Sequence, residues 1–426
     1  MRMNRLLIAL LGWLSIFAGH KMRGQNCPVL RNIPQVTCLH TENGLDSLQF
    51  PGKHEKFDTL YIYIDSLIRT GKGRINILHI GGSHVQGGMF THRMRVNMDS
   101  LGGLRPAGRG MLFPYRAIKT NAPADYVLSS GGIWRGVRNV QRDSTTALGL
   151  SGACAITDDT TAWLGLNIGK IGSRPLKRLR ILGQGTTPDV RPYLICSGDT
   201  IQSLPADSLP GLCFSLPPEA DSVTVRFEGL WPDSISYELR GLWPEGDEDG
   251  FTYTASGING ANLSSWLKCG MLEEELTLAP PQLVIMGVGI NDANVPPAAF
   301  DPEKFKENYR ELMRRIRRVS PDCCFLFITN NDCWLNVRGY RRRPNMNTKR
   351  VWHAMNELAA ESGSAVFDCY RLMGGQASSN AWVRAGLQRR DHIHFSRQGY
   401  ELWGDLLYNA LMKPLVHSDS AAGNEQ

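Results

Sequence analysis

The chain has 426 residues, 42% of them hydrophobic and 20% charged, which is enough apolar content for a sizeable core and for two or three domains. That composition excludes collagen-like, coiled-coil and largely disordered architectures. The formal net charge is +7, but Arg2, Arg5, Lys21 and Arg23 stand in the first 24 residues without an acid. Setting those four aside from the 47 basic residues leaves 43 against 40 acidic ones, close to +3, so no footprint for nucleic acid remains.

Arg2 and Arg5 precede an apolar run over residues 6–18 that is too short to span a bilayer comfortably. Residues 1–24 therefore read as a signal peptide, cleaved near Gly24 or Gln25, which gives a secreted or periplasmic protein. The alternatives are a membrane anchor or a buried helix. Cys27 lacks the preceding residues of a lipoprotein signal, and no later stretch has the length and apolarity of a transmembrane helix. Ten cysteines in an exported chain permit disulfides, Cys27 with Cys38 for instance, but the pairing stays open. No Cys/His spacing suggests zinc.

Residues 57–69 carry Leu60, Ile64 and Leu67 near one helical face. The mostly β-branched run at 75–80 ends in Gly81-Gly82, as a buried parallel strand does at a tight turn, and residues 89–99 follow as a helix. From about 120 to 245 the period changes to two. Ala162, Leu164, Leu166 and Ile168 alternate with polar or small residues, as do Val223, Val225 and Phe227, and then Ile235, Tyr237 and Leu239. That pattern indicates an antiparallel sandwich. Helix–strand alternation resumes with an apolar run at 283–289. A helix follows, opened by Asp301-Pro302 and carrying Phe305, Tyr309, Leu312, Ile316 and Val319. Then come a strand at 324–328, a helix at 347–361, a strand at 365–367 and a final helix capped by Ser396. The expected fold is α/β: a parallel sheet flanked by helices, with an inserted antiparallel β-sandwich. Residues 25–119 and 246–414 form the two parts of the α/β domain, 120–245 the insert and 415–426 a disordered tail.

Acyl transfer to water needs a nucleophile, a base, a group that orients the base, and donors for the oxyanion. Ser83 follows the first strand in Gly81-Gly82-Ser83-His84, where glycines allow a sharp turn and close substrate approach. Taken alone, it reads as a turn serine capping the next helix. His84 is a secondary candidate for the base. Asp391-His392-Ile393-His394 precedes the last helix, and a spacing of three across a turn can bring the Asp391 carboxylate to the His394 ring. His392 and His394 can also be read as metal ligands, though no third or fourth ligand accompanies them. Asn291, in Gly289-Ile290-Asn291-Asp292, ends a strand and offers an amide, or simply an Asx-turn. Gly260, in Gly257-Ile258-Asn259-Gly260, offers a backbone N–H or a flexible turn. Nothing in this set calls for a cofactor.

In chain order, Ser83, Gly260, Asn291 and Asp391/His394 resemble the four blocks of the SGNH/GDSL hydrolases. The resemblance covers most of 75–116 and 250–412. It implies that Ser83 is the nucleophile and that His394, oriented by Asp391, is general base and then acid. It also implies an oxyanion hole made by Ser83 and Gly260 N–H groups and the Asn291 side chain. One departure is Gly82, where the family usually has Asp, which points to weakened or altered activity. With Gly108-Arg109-Gly110-Met111-Leu112-Phe113-Pro114, the chain is similar to peptidoglycan O-acetylesterases that carry a carbohydrate-binding-like β-sandwich between the first two blocks. The implied partner is an O-acetylated glycan or another small ester. The competing expectations are a silent glycan-binding envelope protein and a lipase or thioesterase. Arg341-Arg342-Arg343 and Lys349-Arg350, near Trp334 and Tyr340, form a basic patch that fits either an acidic glycan or a solvated loop.

Overall fold

A computed structural model describes residues 28–101, 104–142, 145–170, 176–246, 249–339 and 341–421. The expected signal peptide, Cys27 and Tyr340 lie outside these residues. The apolar run at 75–80 forms the strand Arg74–Gly81, seven of whose eight residues are buried, as befits a strand covered on both faces. It stands inside a six-stranded sheet. In spatial order the strands are Ala365–Phe367, Cys324–Ile328, Leu283–Gly287, Arg74–Gly81, Gly250–Gly257 and Pro106–Gly108, and every neighbouring pair is parallel.

Because side chains alternate across a strand, the two faces of the sheet feed two cores. Ile75, Ile77, Leu283, Ile285 and Leu326 pack with the helices Glu55–Thr70, Met89–Asp99 and Arg397–Ala421. Leu78, Ile80, Val284, Met286, Phe325 and Phe327 pack with the helices Pro302–Val319 and Asn347–Ser362. The expected caps form: the Asp301 carboxylate accepts the N–H groups of Glu303 and Lys304 at 2.9 and 3.1 Å, and Ser396 Oγ accepts that of Gly399 at 3.1 Å. Chain order reverses direction at Arg74–Gly81, whose neighbours Gly250–Gly257 and Leu283–Gly287 lie on opposite sides. A sheet of this kind opens a crevice beyond its carboxyl ends at such a point.

The period-two segments form two five-stranded antiparallel sheets. One runs Leu212–Ser215, Arg178–Gly185, Tyr237–Glu245, Ala153–Thr157 and Arg135–Arg138. The other runs Leu128–Gly131, Trp163–Asn167, Ser222–Glu228, Arg191–Cys196 and Asp199–Ile201. Leu164, Leu166, Val223, Val225 and Phe227 point inward as their alternation requires, and Phe227 meets Tyr237 of the other sheet at 5.0 Å between ring centroids. Ile235 departs from the pattern. Its strand begins at Tyr237, and Ile235 instead bridges Trp231 across a turn.

The inserted sheets are joined to the parallel-sheet domain by backbone and by charge. Leu112 and Leu242 exchange N–H···O bonds of 2.8 and 2.9 Å. Arg240, on the insert, donates to the fully buried Glu275 of the helix Leu272–Leu276 at 2.7 Å, and Glu275 also accepts the Leu150 N–H at 2.7 Å. Burial drives the Glu275 carboxyl above its usual range, against the pull of Arg240.

Two expectations need correction or sharpening. The helix Arg397–Ala421 runs through Pro414, so a disordered tail from residue 415 is not what forms, while residues 422–426 lie outside the described residues. An interior proline costs about 3 kcal/mol, but Leu411, Met412 and Leu415 are buried around it, and that packing carries the helix on. The nine described cysteines are all buried free thiols.

Removing one partner of a buried ion pair strands the other's charge, at a cost of about 3–5 kcal/mol. Glu275→Ala should therefore lower the free energy of denaturant unfolding by that order, whereas truncating the exposed Glu307 should leave it nearly unchanged.

Candidate active site

Gly81, the last residue of its strand, pairs in register with Gly257 on one side and Gly287 on the other. A methyl group on Gly81 would strike the Val85 side chain, and one on Gly257 would strike the Gln86 nitrogen and the Gly82 carbonyl. With no side chains there, the short helix Ser83–Gln86 lies directly on the strand ends. The buried Gln86 side chain then reaches across: its oxygen accepts the Asn259 N–H at 2.6 Å and its amide donates to Asn121 O at 2.7 Å. Tyr115, just beyond the Gly108–Pro114 motif, donates to Gly257 O at 3.1 Å. Neither Gln86 nor Tyr115 is among the residues the sequence reading selects.

The Asp391/His394 pair rides on a tight turn. The Arg389 N–H donates to His394 O at 2.7 Å, the His392 N–H to Arg389 O at 3.0 Å, and His392 adopts a left-handed φ of 59°. One Asp391 oxygen accepts the N–H groups of Ile393 and His394, both at 2.9 Å, and the other lies 2.8 Å from His394 Nδ1. A carboxylate only accepts, so Nδ1 carries the proton and Nε2 is left as an acceptor. His394 Nε2 stands 2.8 Å from Ser83 Oγ. Burial opposes the Asp391 charge, but the hydrogen bonds from the His394 ring and the two N–H groups outweigh it and hold the carboxyl below its usual range.

Ser83, Gly260, Asn291 and His394 line one cleft of about 700 Å³. Gly260 has φ +83°, open to glycine and strained for other residues. Among the described residues no protein acceptor takes the N–H of Ser83 or Gly260. The Asn291 amide donates one N–H to Ala261 O at 2.9 Å, which leaves its second N–H available. A side chain at position 82 would begin 3.2 Å from that amide nitrogen, so the carbonyl of Ala261 holds Asn291 where Gly82 offers nothing. The five residues singled out in the sequence thus converge.

The secondary candidates take other places. His84 is half-buried, bonded through Nδ1 to the Tyr400 hydroxyl at 2.8 Å, and its pKa is pushed down to about 3 by desolvation and by the neighbouring His394. It is neutral, and its Nδ1 is engaged by Tyr400. His392 stacks on Trp334 at 3.9 Å and bonds Ser379 Oγ at 2.9 Å, so it does not converge with His394 on a metal. Among the described residues no group of three or more His, Cys, Asp or Glu is placed to hold a metal ion. Of the basic patch, Arg350 is tied to the carbonyls of Pro297 and Phe300, both at 2.8 Å, while Arg342 donates to Asp391 O at 2.6 Å and braces the turn.

Residues 221–402 match the model of the GDSL-like Lipase/Acylhydrolase family. That span holds Gly260, Asn291, Asp391 and His394, and Ser83 lies upstream of the inserted sheets. The fold is similar to that of a peptidoglycan O-acetylesterase, at 21% identity and a TM-score of 0.67, over 86% of this chain and 99% of that one. Such coverage takes in the inserted sheets. An acetyl xylan esterase aligns over 38% of this chain and 81% of its own (17% identity, TM-score 0.31). A lipase/acylhydrolase from Enterococcus faecalis aligns over 39% and 78% (23% identity, TM-score 0.30). No curated protein matches the sequence.

Beside Asn291, the Asp292 carboxyl accepts the Leu263 N–H at 3.2 Å, and burial pushes it up from 3.8 to about 7. The folded state therefore holds this proton more tightly than the unfolded state. The stability this gives is fully present below about pH 4 and is lost as pH rises through about 7. Asp292→Asn should remove that loss, so its melting temperature relative to wild type should climb between pH 5 and pH 8. A constant difference would contradict the assignment.

Proposed function

We propose that this hydrolase of the SGNH/GDSL fold is an exported serine esterase that removes O-acetyl groups from a polysaccharide. The observation that carries the reading is the unbroken relay from Asp391 through His394 to Ser83, with both links at 2.8 Å, opening on the cleft. Ser83 Oγ attacks the acetyl carbon while its proton passes to His394 Nε2. The charge that develops on the carbonyl oxygen is met by the N–H groups of Ser83 and Gly260 and the second N–H of Asn291. The C–O bond to the sugar then breaks, His394 returns the proton to the departing alkoxide, and an acetyl-serine remains. Water repeats the sequence: His394 takes its proton, acetate leaves, and Ser83 recovers its hydrogen. Asp391 keeps Nδ1 protonated throughout and stabilises the imidazolium.

Ester rather than amide chemistry follows the family match, and the glycan follows the peptidoglycan O-acetylesterase whose fold runs along nearly the whole of this chain. Export rests on the charged and apolar pattern of residues 1–24.

Acetate release from p-nitrophenyl acetate, O-acetylated peptidoglycan and acetylated xylan tests the proposal. Ser83→Ala and His394→Ala should lower turnover by a factor on the order of 10⁴ or more. Asn291→Ala should lower it by about 10²–10³. Release that is equal in folded wild type and folded Ser83→Ala would remove the serine mechanism.

A further inference from the structure

The wall of the Ser83 cleft contains no Asp or Glu side chain among the described residues. Its lining includes Asn121, Asn259, Asn291, Asn294 and Asn336, and its one Lys or Arg is Arg389. Amides suit the hydroxyl groups of a sugar, giving and accepting hydrogen bonds with equal ease. An arginine has a narrower use. Its planar fork matches a carboxylate through two parallel N–H···O bonds.

The placement of Arg389 is fixed by the machinery itself. Its N–H is bonded to His394 O and its carbonyl accepts the His392 N–H, so the residue shares the turn that holds the base. Its side chain is exposed and forms no ion pair or hydrogen bond among the described residues. The nearest carboxylate along the chain, Asp391, is turned toward His394. The Arg389 charge acts on the Tyr400 hydroxyl, which lines the same cleft. Arg342, bonded to Asp391 O, places a second guanidinium behind this turn. The cleft thus joins a positive charge to a wall of amides, with Ser83 lining the same space.

We propose that Arg389 forms a carboxylate subsite, so that the preferred substrate is an acidic glycan whose acetylated sugar, or its immediate neighbour, bears a carboxylate. This rests on the esterase reading given above. The carboxylate would bind in the ground state and in the transition state alike, so its effect belongs chiefly in KM.

A matched pair of polymers isolates the charge: O-acetylated polygalacturonate with free carboxylates, and the same polymer methyl-esterified. For the wild type, kcat/KM for acetate release should favour the free acid by about tenfold or more, the range of charge-assisted recognition. The preference should shrink as ionic strength rises. Arg389→Gln should collapse the ratio toward one through KM, and Arg389→Lys should keep part of it. A wild type without preference, or an Arg389→Gln variant that retains it, would overturn the subsite. Hydrolysis of p-nitrophenyl acetate with neither polymer cleaved would overturn the subsite and leave the serine chemistry standing. No release from any of the three would overturn the esterase reading itself.

Discussion

Three strands of the parallel sheet end side by side in glycine, and the arrangement of the site depends on that register. Gly81 lies between Gly257 and Gly287, and the surface they leave bare is what the Ser83–Gln86 turn rests on. A side chain at Gly257 would displace the Gln86 backbone, and with it the bond from Gln86 to the Asn259 N–H. Ser83 and the Gly260 loop are therefore positioned by one contact. Asn291 follows the strand end at Gly287, so Ser83, Gly260 and Asn291 inherit their spacing from the sheet.

His394 arrives by another route. Asp391 and His394 are carried by a turn outside the sheet, closed by backbone bonds between Arg389 and His394 and braced by Arg342. The turn leads into the helix Arg397–Ala421, whose Leu406, Leu407 and Leu411 are buried in the core beneath the first strand. Packing of that helix thus fixes the height of the imidazole above Ser83. Tyr400, on the same helix, engages His84 Nδ1 at 2.8 Å. The inserted sheets stand between Ser83 and the other blocks in the chain, yet the Leu112–Leu242 pairing and the buried Arg240–Glu275 bond attach them firmly to the parallel-sheet half.

Much of this was legible in the residues. The apolar run at 75–80 meeting two glycines, the alternation through Leu164 and Val225, and the caps at Asp301 and Ser396 are local signals, and each forms the element its pattern implies. Ser83, Gly260, Asn291, Asp391 and His394 could be chosen by type and order. What stayed hidden depends on distance in sequence. Gln86 matters because it meets Asn259, a partner visible only once the strands at 74 and 250 are in register. His84, a secondary candidate by position, is set aside only by its desolvation and its bond to Tyr400, which the sequence does not show. Pro414 reads as a helix end, and only the burial of Leu415 on its far side shows why it is not. Arg389 was one charge among many, and Arg342 one of a basic patch, until the turn placed the first in the cleft and bonded the second to Asp391 O.

The central claim is that Ser83 is a nucleophile activated by His394, and covalent capture tests it most directly. The folded protein would be treated with a fluorophosphonate, digested, and mapped by mass spectrometry. A single phosphonyl adduct on Ser83, lost in a folded His394→Ala variant, is the expected result. An adduct on another serine, or ester hydrolysis without any labelling of Ser83, would contradict the mechanism.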